Sequence, residues 1–146
     1  MNSKYPPVSV RSDSDRRNVL VVDDHHISRE FVMRIIEALG YHVITSDGGE
    51  DAIHVLSGHS HDPFNLVVVE LNMPKIDGVD VVRCMRRLKM DTPVIFTCDG
   101  PLRYPMTVLT TITPHIIKKP ITDIGHVEDL VTRAITADIH DGAGAR

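Results

Sequence analysis

Asn65-Leu66-Val67-Val68-Val69-Glu70-Leu71-Asn72-Met73-Pro74-Lys75-Ile76-Asp77-Gly78 is an apolar run that ends on a carboxylate and breaks into a turn. Val67 to Val69 are β-branched and show no polar alternation. That is the pattern of a strand buried on both faces, as in the middle of a parallel sheet covered by helices. Pro74 and Gly78 punctuate the turn that follows. Glu70 therefore stands at the carboxyl end of a central strand, where open α/β sheets bind their ligands.

Upstream, Asn18 to Val22 reads as a second buried strand and runs directly into Asp23-Asp24. Adjacent carboxylates repel unless a cation or a basic side chain sits beside them. Taken alone, the pair is better read as a solvated strand-to-helix turn, for which Asp is common. Ile27 to Leu39 has helical periodicity, with Ile27, Phe31, Val32, Ile35, Ile36 and Leu39 on one stripe and Gly40 as the stop. Tyr41 to Thr45 reads as a strand. Asp47-Gly48-Gly49-Glu50 resembles a capping box opening a helix over Glu50 to Leu56. His59, His61 and Asp62 lie in the loop from Ser57 to Pro63, where nothing fixes their geometry, so they read as surface rather than as a metal site; His25-His26 reads likewise.

Downstream, Val79 to Leu88 forms a helix with Val81, Val82, Met85 and Leu88 inward and Arg83, Arg86, Arg87 and Lys89 on a wet face. Thr92 to Thr97 is a strand ending near Cys98 and Asp99. Gly100 to Pro114 is the least regular part: Pro101, Pro105 and Pro114 interrupt it, and β-branched residues crowd positions 107 to 113. A helix from about Met106 to Ile112 is weakly encoded there. His115 to Lys118 is a short last strand before Lys119-Pro120. Thr122 is placed to cap a closing helix whose apolar face is Val127, Leu130, Val131, Ala134 and Ile135.

Five strands alternating with five helical segments imply a parallel sheet with right-handed crossovers. The expected fold is α/β: a flavodoxin-like, doubly wound, five-stranded parallel sheet in the order 2-1-3-4-5. The 146 residues fit one domain over 18–137, with a disordered leader over 1–17 and a Gly/Ala-rich flexible tail over 138–146. Hydrophobic residues make up 42%, but aromatics only 4% and Trp is absent, so the core is aliphatic. A net charge of −4 argues against direct nucleic-acid binding. No secretory leader or membrane-length apolar run is visible, and Cys84 and Cys98 form no zinc or redox motif. The expectation is an intracellular protein, cytoplasmic and/or nuclear, without membrane association.

In the expected strand order one sheet edge collects Asp23 and Asp24, Glu70, Thr97 or Cys98, and Lys119. Carboxylates with a backbone carbonyl suit Mg²⁺, and a lysine pairs with a phosphoryl oxygen or a carboxylate. The chain resembles the receiver domain of two-component response regulators over roughly residues 18–137. The resemblance is carried by Val19-Leu20-Val21-Val22-Asp23-Asp24, Met73-Pro74-x-x-Asp77-Gly78, the strand ending at 97–98, Lys119-Pro120, and their mutual spacing. Asn72-Met73-Pro74 makes it look most like plant single-domain regulators, of the kind used in cytokinin signalling. The resemblance implies a role in His-to-Asp phosphorelay rather than an enzyme of its own, with a histidine-phosphotransfer protein or a sensor histidine kinase as partner. It implies a Mg²⁺ site from Asp23, Asp24, the acceptor carboxylate and the Asn72 carbonyl. It makes Lys119 the phosphoryl-bridging lysine, with a cis bond to Pro120, and puts Cys98 where receivers carry a Ser or Thr.

Three positions depart from the family. Glu70 occupies the phosphoacceptor Asp position, and its carboxylate stands one carbon–carbon bond, about 1.5 Å, further out. A displacement of about 1 Å costs on the order of a hundredfold in rate. Glu70 is thus expected to be a poor acceptor and a partial mimic of the phosphorylated state, with charge −1 against about −1.5 to −2 for a phosphate. Cys98 replaces a hydroxyl by a weaker donor, and Ile116 sits where an aromatic residue is usual. The expectation is a pseudo-receiver acting by partner binding, with weak Mg²⁺ affinity retained. The competing readings are a working phosphorelay receiver and a flavodoxin-like ligand-binding module. The last has no phosphate loop, nucleophile elbow or dinucleotide fingerprint to support it.

Overall fold

The computed structural model describes residues 17–58 and 63–144, with side chains through residue 137. The leader reading at 1–16 and the His59, His61, Asp62 cluster lie outside the described residues. The elements in order are β1 (Asn18–Val22), α1 (His26–Ala38), β2 (His42–Ser46), α2 (Gly49–Ser57), β3 (Leu66–Glu70), α3 (Gly78–Arg87), β4 (Val94–Cys98), α4 (Met106–Ile112), β5 (Ile116–Lys118) and α5 (Ile124–Gly144). The strands form one sheet in the order β2-β1-β3-β4-β5, every neighbouring pair parallel. This is the flavodoxin-like α/β fold expected from the sequence.

The continuous apolar runs are explained by burial on both faces. Every residue of β1, β3 and β4 is buried. Alternate side chains enter opposite cores, as the two-residue strand period demands. Val19, Val21, Leu66, Val68, Ile95 and Ile117 pack under α1 and α5. Leu20, Val22, Val67, Val69, Val94 and Phe96 pack under α2, α3 and α4. Lys119-Pro120 is cis.

Several local expectations need correction. On α1, Val32, Ile35 and Ile36 are buried, but Ile27 is 84% and Phe31 40% exposed. The stripe is right in period, but its N-terminal members are left uncovered. Leu88 is 41% exposed because α3 stops at Arg87. The N-cap of α2 is Gly48, with no side-chain cap bond, so the Asp47 capping box does not form. Asp123, not Thr122, caps α5: its Oδ1 accepts the His126 N–H at 3.1 Å. The helical backbone of α5 continues to Gly144, beyond residue 137. A capping box does exist, unforeseen, at α3, where Asp77 accepts from Asp80 N–H and Asp80 accepts from Asp77 N–H.

Candidate functional site: an acidic pocket closed by a lysine

Three strand ends place the reactive groups. β3 delivers Glu70, which is wholly buried; the turn after β1 delivers Asp23, and the turn after β5 delivers Lys119. Lys119 Nζ lies 2.6 Å from Asp23 Oδ2 and 2.7 Å from Glu70 Oε1. The other Glu70 oxygen, Oε2, accepts the backbone N–H of Asn72 at 2.8 Å and of Asp99 at 3.3 Å. Asp23 Oδ1 accepts the His25 N–H at 2.9 Å, and the Asp23 carbonyl accepts from the Arg29 guanidinium at 2.8 Å.

The electrostatics follow from burial. Desolvation of the Lys119 ammonium works to lower its pKa, but hydrogen bonds and charge from Asp23 and Glu70 outweigh it, and the net shift is upward. Lys119 is therefore held as a cation. Two carboxylates, those of Asp23 and Glu70, share that one ammonium.

Asp24 Oδ1 is buried and makes no hydrogen bond; its near neighbour is His25 Nδ1 at 3.3 Å. Ligand atoms of Asp23, Asp24 and His25 all lie within 4.8 Å of one another. Carboxylate oxygens of this kind, one of them without a partner, fit a hard divalent cation such as Mg²⁺.

The turn after β3 is built to hold Glu70 still. Asn72 Nδ2 donates to the carbonyls of Asp99 at 2.8 Å and Pro101 at 3.2 Å, which ties this turn to the one after β4. Gly78 approaches so closely that a Cβ there would lie 2.6 Å from the Glu70 carbonyl oxygen. Asp77 Oδ2 accepts from the Tyr104 hydroxyl at 2.6 Å, a second tie between the same two segments. That bond, with burial and the Asp77 charge, pushes the Tyr104 phenol up to about 12.

The structure brings Asp23, Glu70 and Lys119 together and sets Asp24 beside them. Asn72 meets Glu70 through its N–H. Cys98 meets the turn that carries Asn72 from the other face of β4. β4 extends through residue 98, and in the β3–β4 ladder Glu70 pairs with Thr97. Lateral partners in a sheet project to the same face. Thr97 thus shares the face of Glu70, while Cys98 joins the opposite core beside Phe96 and Leu109. Cys98 Sγ faces the Asn72 amide at 3.6 Å and the Gly100 carbonyl at 3.3 Å. Burial and the Glu70 charge push its thiol pKa up. His25 is exposed, as read from the sequence, while the Asp99 N–H was not foreseen. Backbone donors carry no residue-type signal.

Comparison with known proteins agrees with this geometry. Residues 19–132 match the family model of the response regulator receiver domain. The chain is 34% identical over 112 residues to the sensor histidine kinase RcsC of Escherichia coli K12, covering 76% of this chain and 12% of that protein. It is 29% identical over 120 residues to the response regulator SaeR of Staphylococcus aureus USA300, covering 80% of this chain and 51% of that protein. The chain thus spans about an eighth and about half the length of these relatives. The signal receiver domain of a putative LuxO repressor protein from Vibrio parahaemolyticus superposes with a TM-score of 0.74 at 20% identity, covering 88% of this chain and 97% of that one. Among the described residues no helix is long and apolar enough to cross a membrane. The chain belongs to the response regulator receiver domain family, the receiver modules of two-component phosphorelay signalling.

Proposed function

We propose that this chain is a pseudo-receiver, in which Glu70 fills the phosphoryl pocket and the protein acts by binding a phosphorelay partner. One observation carries the reading: the carboxylate of Glu70 already uses the pocket's donors. Its Oε1 is ion-paired to Lys119, and its Oε2 takes the N–H groups of Asn72 and Asp99. An incoming phosphoryl group would have to displace all three while the nucleophile stays buried. The longer side chain supports the same conclusion, since a nucleophile out of line by about 1 Å loses on the order of a hundredfold. Asp23 and Asp24, with the Asn72 carbonyl, would hold Mg²⁺. The ion would lower the negative charge of the pocket and leave Glu70 as a fixed, weaker copy of a phosphorylated acceptor.

The partner class is a histidine-phosphotransfer protein or a sensor histidine kinase. Ile27 and Phe31 stand exposed beside Lys119, Pro120 and Ile121, on the rim of a cleft of about 490 Å³. An apolar rim around a charged pocket suits a protein that must present a histidine to it.

A second reading, a working receiver, is favoured by the intact Asp23, Asp24 and Lys119. Phosphotransfer separates the two. A labelled histidine-phosphotransfer protein with Mg²⁺ is offered this protein and its Glu70→Asp variant. The pseudo-receiver reading requires label on the variant alone. Label on Glu70 of the unsubstituted protein establishes the working receiver instead.

A further inference from the structure

The groove between α3 and α4 shares no lining residue with the acidic pocket, and its chemistry is different. It has a volume of about 680 Å³, with Val79, Val82 and Ile112 at its base and the 39%-exposed Val108 on its α4 wall. Its other wall is basic: Arg83, Arg86, Arg87 and Lys89 all line it and all are exposed. On a chain of net charge −4 this is a strong local reversal of sign. Little within the chain neutralises it. Arg83 has only the distant, exposed Asp80 at 3.8 Å. The Arg86 guanidinium donates to the Met90 and Thr92 carbonyls at 2.6 and 3.1 Å, which fixes its position and leaves its charge. Among the described residues no acidic side chain pairs with Arg87 or Lys89.

We propose that this groove docks an acidic, amphipathic helical segment of a partner protein. A cleft between two helices with an apolar base accepts the apolar face of a third helix, the helix-in-groove mode. The ten residues of α3 span about 15 Å, enough for roughly three turns of such a segment. Carboxylates flanking its apolar face would meet the four cations, which supplies orientation and steering. Nucleic acid fits less well: the base is aliphatic, no aromatic side chain lines the groove for base stacking, and the whole chain is acidic.

The test uses the full chain and a fluorescein-labelled synthetic helix of 15 residues, with leucines on one face and glutamates beside them. Twins carry glutamine or lysine in place of glutamate. Anisotropy should show binding of the acidic peptide that weakens as salt rises, with the lysine twin failing to bind. Arg87→Glu combined with Lys89→Glu, and separately Val108→Glu, should each weaken binding by about tenfold or more. Amide shifts induced by the peptide should map to residues 79–89 and 106–112. Urea unfolding midpoints of the variants show whether they fold. The proposal is overturned by no binding of the acidic peptide, equal binding of the lysine twin, or shifts confined to α1. Displacement of the peptide by a short DNA duplex at equal concentration also overturns it.

Discussion

Glu70 and Thr97 are lateral neighbours across the β3–β4 ladder, and the Leu71 N–H beyond them donates to the Thr97 carbonyl at 2.8 Å. Their pairing assigns the faces of β4: the Thr97 hydroxyl lies on the side of the acidic pocket, and the Cys98 thiol on the side of α3 and α4. Cys98 is 2% exposed, and its pKa is raised by burial and by the Glu70 charge. The thiolate is the reactive form, so both effects protect it. Cys84, on α3, is partly exposed. At pH 8 a disulfide reagent should therefore modify one thiol per chain quickly and the second only on addition of denaturant. Two fast thiols in the native protein would place Cys98 in the open pocket after all.

Lys119 is the ammonium paired with both Asp23 and Glu70, so its removal should be costly. Breaking a buried ion pair by deleting one partner typically destabilises by about 3–5 kcal/mol. Lys119→Met should fall in that range by urea unfolding at pH 7, with far-UV circular dichroism unchanged. The pH dependence has a definite sign. The folded-state pKa of Lys119 lies above its ordinary 10.5, so its contribution is complete below that value and is lost as pH rises through the folded pKa. The stability gap between wild type and variant should therefore be the same at pH 7 and pH 9 and close only in stronger base. A gap that closes between pH 7 and 9 contradicts the cationic lysine.

Tyr104 and Asp77 tie the turn after β4 to the start of α3. The phenol stays protonated to about pH 12 instead of 10.0, chiefly because it donates to Asp77. In an ultraviolet titration, one tyrosine step should lie near pH 12 and vanish in Tyr104→Phe. Asp77→Asn should move it back towards 10.0. Because the folded pKa is the higher one, the stabilisation from this bond is present below pH 10 and fades between 10 and 12. Ordinary titration of all tyrosines with the fold intact would show that the bond does not persist in solution.

The architecture was readable because β1, β3 and β4 are unbroken apolar runs, each ending on or beside a polar residue. Burial on both faces writes itself into composition, and a carboxylate at the end of such a run has few structural explanations. Asp23 and Glu70 stood out this way, and Lys119 through its place after the short last strand, next to Pro120. The misses are of another kind. Ile27, Phe31 and Leu88 fit a helical stripe, but periodicity gives the direction of a side chain and not whether the sheet extends beneath it. Asp47 and Thr122 have capping chemistry, yet Gly48 and Asp123 take those positions, because a cap depends on where the backbone enters the helix. Thr97 and Cys98 are adjacent polar residues at a strand end. Which face of β4 each of them takes is a matter of register, which no local pattern encodes.

Gly78 shows where packing should override helix propensity. It opens α3, and on propensity alone Gly78→Ala would stabilise by about 1 kcal/mol. A Cβ at this position, however, would lie 2.6 Å from the Glu70 carbonyl oxygen and 3.0 Å from Leu71 Cα. Both are backbone atoms, one in β3 and one just past its end, and no rotamer change relieves the clash. Overpacking of a tight interior typically costs about 1–3 kcal/mol, which exceeds the propensity gain. Gly78→Ala should therefore lower the urea midpoint. It should also displace the Glu70 main chain and loosen the Lys119 contact, so that Lys119→Met costs less in the Gly78→Ala background than in the wild type. A raised midpoint, or strictly additive effects of the two substitutions, would mean that α3 can shift away from β3 and that Glu70 is not held by the turn as described.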